Sequence, residues 1–254
     1  MLEFFKKKQV GPSKTVSEKR IKDFQEIYNS FSDGQSVDQA SRCSQCGIPY
    51  CQIHCPLNNN IPDWLKYIAE DRLEEAYEIS SSTNAFPEVC GRVCPQDRLC
   101  EGNCVVEKAG FGSITIGSLE KHITETAWEK GWIKPIVSSK KQNQKVAIIG
   151  SGPAGLAAAT YLIEYGYDVE VFEKNDRIGG LMIYGIPNFK LDKSVVIRRH
   201  EWLKESGVIF HTNCEVGKDV TFDDLEKNFD AILISTGVYK ARSLDLNTKK
   251  VNNS

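Results

Sequence analysis

Eight of the nine cysteines of this 254-residue chain lie between residues 43 and 104. The first run, spaced C-x2-C-x4-C-x3-C-P, comprises Cys43, Cys46, Cys51 and Cys55. The second run, spaced C-x3-C-x5-C-x3-C with a proline after its second member, comprises Cys90, Cys94, Cys100 and Cys104. Cysteines this close together are expected either to form disulfide bonds or to bind metal. Which of the two occurs determines the core around which residues 43–104 fold.

Three chemistries compete for these thiols. A disulfide framework requires an oxidising compartment, and nothing in the sequence indicates one. Zinc ribbons usually pair two C-x2-C knuckles, whereas only Cys43 and Cys46 have that spacing. Iron–sulfur ligation fits best, because in two-cluster ferredoxins a close run ends in Cys-Pro and its last cysteine binds the other cluster.

Composition and charge indicate the cellular compartment and argue against membrane and nucleic-acid partners. The first residues, MLEFFKKKQV, lack the apolar core of a signal peptide, and no run approaches the ~18 apolar residues of a membrane span. We therefore predict a cytoplasmic protein with reduced thiols and no membrane partner. The 32 basic and 34 acidic residues form no basic stripe, so no nucleic-acid partner is expected.

Cysteine spacing also predicts how the ligands divide. A tight run can wrap one cubane with its first three thiolates, so Cys43, Cys46 and Cys51 are expected to share a cluster. Cys55 then belongs to the other cluster, while Cys104, at the far end of the second run, most simply returns to the first. On spacing alone, the ligands that remain for the second cluster with Cys55 are Cys90, Cys94 and Cys100.

The second half of the chain carries a dinucleotide fingerprint in its usual context. The apolar run KVAIIG leads into Gly150, Gly152 and Gly155, spaced G-x-G-x-x-G, and PAGLAAATYLIEYG follows as a helix. These glycines permit a tight turn, a close approach to a pyrophosphate and helix–strand packing. A second strand, DVEVFEK, carries Glu173, placed to accept hydrogen bonds from ribose hydroxyls and to disfavour a 2′-phosphate.

The residues after Glu173 indicate which dinucleotide binds. Five residues separate this acid from the pair Gly179-Gly180, a pattern typical of flavoproteins built on two dinucleotide-binding domains, so FAD is predicted. The segment FDAILISTG, residues 229–237, resembles the second flavin-contacting strand of such enzymes. Hydride chemistry belongs to the cofactor, and no catalytic side chain is predicted.

Together these pieces resemble a known family. RCSQCGIPYCQIHCPLNNNIPDW, TNAFPEVCGRVCPQDRLCEGNC, ITIGSLEKHITETAWEKGW and GGLMIYGIPNFKLDK are similar to segments of the small (β) subunits of bacterial NADPH-dependent glutamate synthases. Related electron-input modules occur in dihydropyrimidine dehydrogenase and in NADH-dependent ferredoxin:NADP oxidoreductases. The segment QDRLCEGNC, residues 96–104, favours the glutamate synthase branch over its relatives.

The resemblance implies a ligand set. One [4Fe-4S] cluster would be bound by Cys43, Cys46, Cys51 and Cys104, and the other by Cys55, Cys94, Cys100 and an oxygen of Glu120, with Cys90 as the rival fourth ligand. The FAD-contacting positions would be Gly150, Gly152, Pro153, Ala154, Gly155, Glu173, Lys174, Gly180, Leu181, Thr236 and Gly237.

The resemblance also implies an architecture. We expect a mostly α-helical iron–sulfur domain over residues 1–138, a linker over 139–144, and the first segment of an α/β doubly wound, Rossmann-like FAD-binding domain over 145–254, incomplete at the C-terminus. After Arg242 the sequence is polar and carries no second nucleotide fingerprint. An absent NADPH domain predicts weak FAD binding and no NADPH-dependent turnover by this chain alone.

Several functions stay open at this stage. The first is electron transfer from NADPH through FAD and two clusters to a large glutamate synthase subunit, which makes L-glutamate from L-glutamine and 2-oxoglutarate. The same module could instead serve a ferredoxin-linked or pyrimidine-reducing partner. A truncated cluster-binding module without turnover and a zinc-stabilised interaction protein are the non-enzymatic alternatives.

Overall fold

The computed structural model describes residues 1–238. After a 3₁₀ turn at Glu3–Phe5, the first part is helical. Its helices are α1 (Ser17–Arg20), α2 (Asp33–Ala40), α3 (Tyr50–Ile53), α4 (Ile61–Ala69), α5 (Leu73–Ser81), α6 (Pro87–Val93), α7 (Val105–Lys108) and α8 (Ile116–Glu129). The predicted polar tail after Arg242 lies outside the described residues.

From residue 145 strands and helices alternate. The elements are β1 (Lys145–Ile149), α9 (Pro153–Glu164), β2 (Asp168–Phe172), α10 (Leu181–Tyr184), α11 (Lys193–Glu205), β3 (Ile209–His211), α12 (Phe222–Asn228) and β4 (Ala231–Ile234). None of the helices in residues 1–238 combines the length and the apolar character that crossing a bilayer requires.

The helical part is organised around α8, its longest helix. Leu119 and Ile123, four residues apart on α8, are fully buried and share an apolar core with Trp64 and Leu65 of α4. This spacing places them on one face, which is why an amphipathic helix of this kind packs inward. Cys43 and Cys104 belong to the same core, so two of the predicted ligands are held by rigid packing.

The α/β part is a four-stranded parallel sheet in the order β3-β2-β1-β4. The central strand β1 buries Val146, Ala147 and Ile148, and α9 packs Leu156 and Ala159 into the core that contains Ile148. Near-continuous apolar residues are expected for a parallel strand covered on both faces. The predicted order, a helical part followed by a Rossmann-like sheet, is confirmed.

The two parts of the chain pack directly against each other. Phe86, which precedes α6, lies in the same apolar core as Ile148 of β1 and Val195 of α11. Beside this core, Arg199 of α11 donates two hydrogen bonds to Glu88 of α6, at 2.7 and 2.8 Å. Within the described residues no helix or strand lies between 130 and 144. The domain boundaries at 138 and 145 stay predictions.

Candidate cluster and dinucleotide sites

The eight clustered cysteines line two separate cavities in the helical part. The first cavity is lined by Cys43, Cys46, Cys51 and Cys104. The second, of about 270 Å³, is lined by Cys55, Cys90, Cys94, Cys100 and Glu120. The last cysteine of each run, Cys55 or Cys104, therefore lines the cavity formed mainly by the other run. Ile116 lines both cavities. The structure brings together the residues of each predicted ligand set, while the assignment of each thiol to iron stays a prediction.

The first cavity presents hydrogen-bond donors to its sulfur atoms. Gln45 adopts a left-handed backbone, with φ 51°. Its backbone N–H and its side-chain amide both donate to Cys43 Sγ, at 3.4 and 3.5 Å. The Ser44 hydroxyl lies 3.0 Å from Cys46 Sγ. Hydrogen bonds to sulfur are one of the means by which a protein sets the reduction potential of an iron–sulfur cluster.

Burial shapes the acid–base chemistry of these thiols. It raises the pKa of Cys51 to about 12 and also raises the pKa of Cys43. A thiol in such a place keeps its proton unless a metal ion replaces it, and a coordinating thiol is deprotonated outright. All nine cysteines are free thiols. Free thiols whose protons a metal would replace fit the predicted clusters.

Glu120 of α8 lines the second cavity and does not face solvent. It is 7% exposed, and burial raises its pKa well above the ordinary value. The side-chain amides of Asn59 and Asn84 donate to the same oxygen, Oε1, at 3.2 and 3.0 Å. These two bonds fix the carboxyl group and do not involve Oε2. A cation in the cavity would relieve the burial of charge.

Cys90, the rival ligand, acts as a hydrogen-bond donor. Its thiol donates to Asn84 Oδ1 at 3.7 Å, and its hydrogen bond to Cys94 lowers the pKa of Cys94 while the pKa of Cys90 is raised. Asn84 thus lies between the two rivals and contacts both.

The arrangement of donors separates a cluster from a single metal ion. Within residues 1–238 no three His, Cys, Asp or Glu side chains converge tightly enough to hold one ion. A tetrahedral zinc site needs every thiolate at about 2.3 Å from one point. The thiolates of a cubane bind different iron atoms and can therefore stand further apart. The residues present suit a polynuclear cluster better than zinc.

The glycine loop after β1 has a backbone geometry that is compatible with the three roles predicted from the sequence, which stay predictions. Gly150 has φ 102°, and a side chain there would meet Ser235 O at 2.6 Å. A Cβ on Gly155 would lie 2.1 Å from Gly150 O, so α9 packs too closely for any other residue. A Cβ on Gly152 would meet nothing within 4 Å, which leaves open the side from which a pyrophosphate would approach. Pro153 and Ala154 follow, exposed, in the first turn of α9.

Glu173 lies where β2 ends and is 4% exposed. Its Oε2 accepts hydrogen bonds from the backbone and hydroxyl of Ser151, at 3.1 and 2.5 Å. Its Oε1 accepts from the backbone and side chain of Asn175, at 2.9 and 2.7 Å. A carboxylate has about four lone-pair sites. A ribose would therefore have to displace a rotatable donor, the Ser151 hydroxyl or the Asn175 amide, before it could bind Glu173.

Of the remaining predicted flavin positions, Gly180 packs against the glycine loop, and Thr236 and Gly237 follow β4. Gly180, with φ 52°, packs so closely that a Cβ would lie 2.8 Å from Gly152 Cα. Thr236 and Gly237 follow β4, next to Ser235, whose hydroxyl donates to Gly150 O at 3.0 Å. Leu181 and Lys174 are exposed.

Some residues of both sites escape sequence reasoning. Asn59 and Asn84 hold Glu120 from positions 61 and 36 residues away, and no spacing motif marks either residue. No motif marks Ser235, yet its hydroxyl donates to the carbonyl oxygens of Ile149 and Gly150. Ser151 could have been found, because it lies between the first two fingerprint glycines.

Comparison with protein families divides the chain in the same way. Residues 20–132 match the family described as dihydropyrimidine dehydrogenase domain II, 4Fe-4S cluster. Residues 148–195 match the NAD(P)-binding Rossmann-like domain family. The helical part that holds the cysteines is therefore an iron–sulfur domain, and the sheet is a dinucleotide-binding fold.

Curated relatives are similar over almost the whole chain. The glutamate synthase [NADPH] small chain of Azospirillum brasilense is 56% identical over 244 residues, which are 96% of this chain and 51% of the relative. The protein of the same name from Escherichia coli K12 is 48% identical over 94% of this chain and 50% of the relative. The chain thus spans about half the length of these curated relatives.

The chain has only a weak similarity to the following solved structure. Mycobacterium tuberculosis FprA in complex with NADPH is 24% identical over 43% of this chain and 26% of that protein, with a TM-score of 0.38. A similarity this low supports no structural argument.

Proposed function

The chain belongs to the family of glutamate synthase small chains, and on that premise we propose that it transfers electrons from a flavin through two [4Fe-4S] clusters to a partner protein. The observation that carries the proposal is the division of eight thiols between two cavities that share Ile116 in their walls. Single-electron steps need neighbouring redox centres, and two clusters held side by side would supply them.

We assign the ligands as the resemblance implies. Cys43, Cys46, Cys51 and Cys104 would hold one cluster, and Cys55, Cys94, Cys100 and Glu120 the other. The glycine loop, the N-terminus of α9 and Glu173 would hold the pyrophosphate and ribose of FAD, which supplies the exchange between hydride and single-electron chemistry when bound. The predicted domains, 1–138 and 145–254 with a linker at 139–144, would then correspond to these two cofactor types.

The partner and the overall reaction follow from the family and are part of the proposal. NADPH would be the electron donor of the full-length relatives, and the acceptor would be the large (α) subunit, which makes L-glutamate from L-glutamine and 2-oxoglutarate. The proposed location is the cytoplasm, where thiols stay reduced. Thr236 and Gly237, which are exposed and follow β4, would contact the flavin half of the FAD.

Gly152→Ala tests the flavin end of this pathway. We expect the variant to keep its stability, because Gly152 has φ −69° and ψ −178°, which any residue adopts, and its Cβ would meet nothing within 4 Å. The methyl group would instead occupy the path of the pyrophosphate. FAD affinity should fall at least about tenfold, or ~1.4 kcal/mol, measured by quenching of flavin fluorescence.

The same variant tests electron transfer. In rapidly desalted samples illuminated with EDTA as the electron donor, cluster reduction followed by EPR should scale with the FAD that each sample retains and should therefore be greater in the parent chain than in Gly152→Ala, while dithionite reduces both. Gly34→Ala, also without close neighbours, is the matched control and should behave as the parent. Unchanged flavin affinity in Gly152→Ala, or cluster reduction by light without bound flavin, would contradict the proposal.

Glu120→Ala and Cys90→Ala decide the fourth ligand of the second cluster. Glu120→Ala is expected to change the EPR spectrum of that cluster and lower its occupancy, because the carboxyl is the side chain that two asparagines hold in the cavity. Cys90→Ala should have the smaller effect, since Cys90 acts as a donor to Asn84. Glu120→Gln keeps the shape and an oxygen and serves as the matched variant. The reverse order of effects would assign the role to Cys90.

A further inference from the structure

Two asparagines hold the carboxyl group of Glu120 in the second cysteine cavity. Asn59, which precedes α4, and Asn84, which lies between α5 and α6, line the same cavity as Glu120 and are 2% and 3% exposed. Each donates one hydrogen bond from its side-chain amide to Glu120 Oε1, at 3.2 and 3.0 Å. Both donors therefore act on one oxygen of the carboxyl group.

The orientation of both amides is fixed by a second hydrogen bond. Asn59 Oδ1 accepts from Trp64 Nε1 at 3.2 Å, and Asn84 Oδ1 accepts from the Phe86 backbone N–H at 2.9 Å. Indole and backbone N–H groups can only donate, so the oxygen of each amide must face them and its NH₂ group must face Glu120. Turning either amide over would leave a buried N–H unpaired, at a cost of about 1–3 kcal/mol.

This arrangement limits how Glu120 can bind a metal. A carboxylate has about four lone-pair sites, two on each oxygen. Two amide donors use those of Oε1, so Oε2 is the oxygen that remains for iron. The backbone that carries the carboxyl group is also held, because Leu119 is fully buried in the core and the Thr124 hydroxyl donates to Glu120 O at 2.8 Å.

We propose that Asn59 and Asn84 are positioning residues of the second cluster: they present Glu120 to iron through one oxygen and raise the reduction potential of that cluster. A donor to the second oxygen of a bound carboxylate draws negative charge away from iron, which favours the reduced state. Net charge and hydrogen bonding at the ligands are among the factors that set cluster potentials, and outer partners orient the carboxylates that bind metals. This inference rests on the proposed second cluster and names the residues that set its potential.

Asn59→Leu and Asn84→Leu test the proposal, since each removes one donor to Glu120 at similar side-chain volume. In EPR-monitored redox titrations of anaerobically purified protein, each variant should lower the potential of the second cluster. We expect the ratio of reduced to oxidised cluster at a fixed ambient potential to fall about tenfold, or about 59 mV for one electron. The double variant should shift it further. The first cluster should keep its potential, because neither asparagine lines its cavity.

Gln45→Met is the matched control in the other cavity. The Gln45 side-chain amide donates to Cys43 Sγ at 3.5 Å, so its loss should lower the potential of the first cluster and leave that of the second unchanged. The EPR signal of the first cluster also reports whether each asparagine variant has folded. Where leucine prevents folding or expels the second cluster, Asn59→Ser and Asn84→Ser supply the measurement, because their hydroxyls are too short to reach Glu120.

The outcomes separate this inference from the proposed electron transfer. Parent-like potentials of the second cluster in both asparagine variants, with both clusters present, would overturn the positioning role and leave the two-cluster proposal standing. Equal shifts of both clusters would also overturn it, since they indicate a general disturbance of the helical part. A parent chain that never assembles a second cluster would instead refute the proposed function, and this inference with it.

Discussion

Serine in place of Cys104 is expected to remove about half of the iron from the anaerobically purified protein, which should otherwise carry about eight iron and eight sulfide per chain as two cubanes. Cys43→Ser should abolish the same EPR signal, because Cys43 and Cys104 line one cavity although 61 residues separate them in the sequence. Cys100→Ser should abolish the other signal and leave the first intact. Iron and sulfide assays with EPR of the reduced protein measure all three variants.

The ninth cysteine provides the control for these variants. Cys214 lines neither cysteine cavity, so Cys214→Ser should retain about eight iron and both signals. The crossing assignment would be wrong if Cys43→Ser and Cys104→Ser affected different clusters. Stoichiometric zinc with no broad visible absorption would overturn the cluster interpretation itself.

Arg199→Met is expected to destabilise the protein by about 3–5 kcal/mol, because it leaves a buried carboxylate without its counter-charge. Glu88 is fully buried and Arg199 is 4% exposed, and the two share two hydrogen bonds. The guanidinium also lies over the rings of Trp202 and Trp128, at 4.7 and 5.3 Å. The loss should appear in anaerobic urea unfolding followed by circular dichroism.

A double variant distinguishes the loss of the attraction between Glu88 and Arg199 from the cost of leaving Glu88 buried without a counter-charge. Glu88→Leu combined with Arg199→Met removes both charges and should recover much of the stability, since buried pairs are often replaceable by apolar residues. Removing the exposed Lys218–Glu215 pair should change stability by less than about 1 kcal/mol. A loss in Arg199→Met no larger than in this surface control would show that the buried pair does not hold the two parts together.

The features that sequence analysis predicted correctly are local ones. The apolar run at 145–149, the glycines that follow and the helix at 153–164 form a strand–turn–helix unit, because their backbone requirements are met within a few residues. A positive φ at Gly150 is decided by the turn itself. The grouping of Cys43, Cys46 and Cys51 is equally local, since their spacing limits how far apart they can be.

Distant partners needed the tertiary structure. Asn59, Asn84 and Glu120 meet because α8 packs against the segments that precede α4 and α6, and no short pattern encodes such a meeting. The occupied oxygens of Glu173 are a similar case: the acid was predicted, but the donors Ser151 and Asn175 that fill its lone pairs were not.

The sequence by itself determined the chemistry of this protein: which residues can bind iron, where a nucleotide loop must form, and which family the chain resembles. Only the tertiary structure decided which side chains face one another across 61 to 111 residues, as in Asn59–Glu120 and Glu88–Arg199. The physical reason is that backbone turns and ligand spacings depend on neighbouring residues. Burial, charge pairing and enclosed space depend on how whole helices pack.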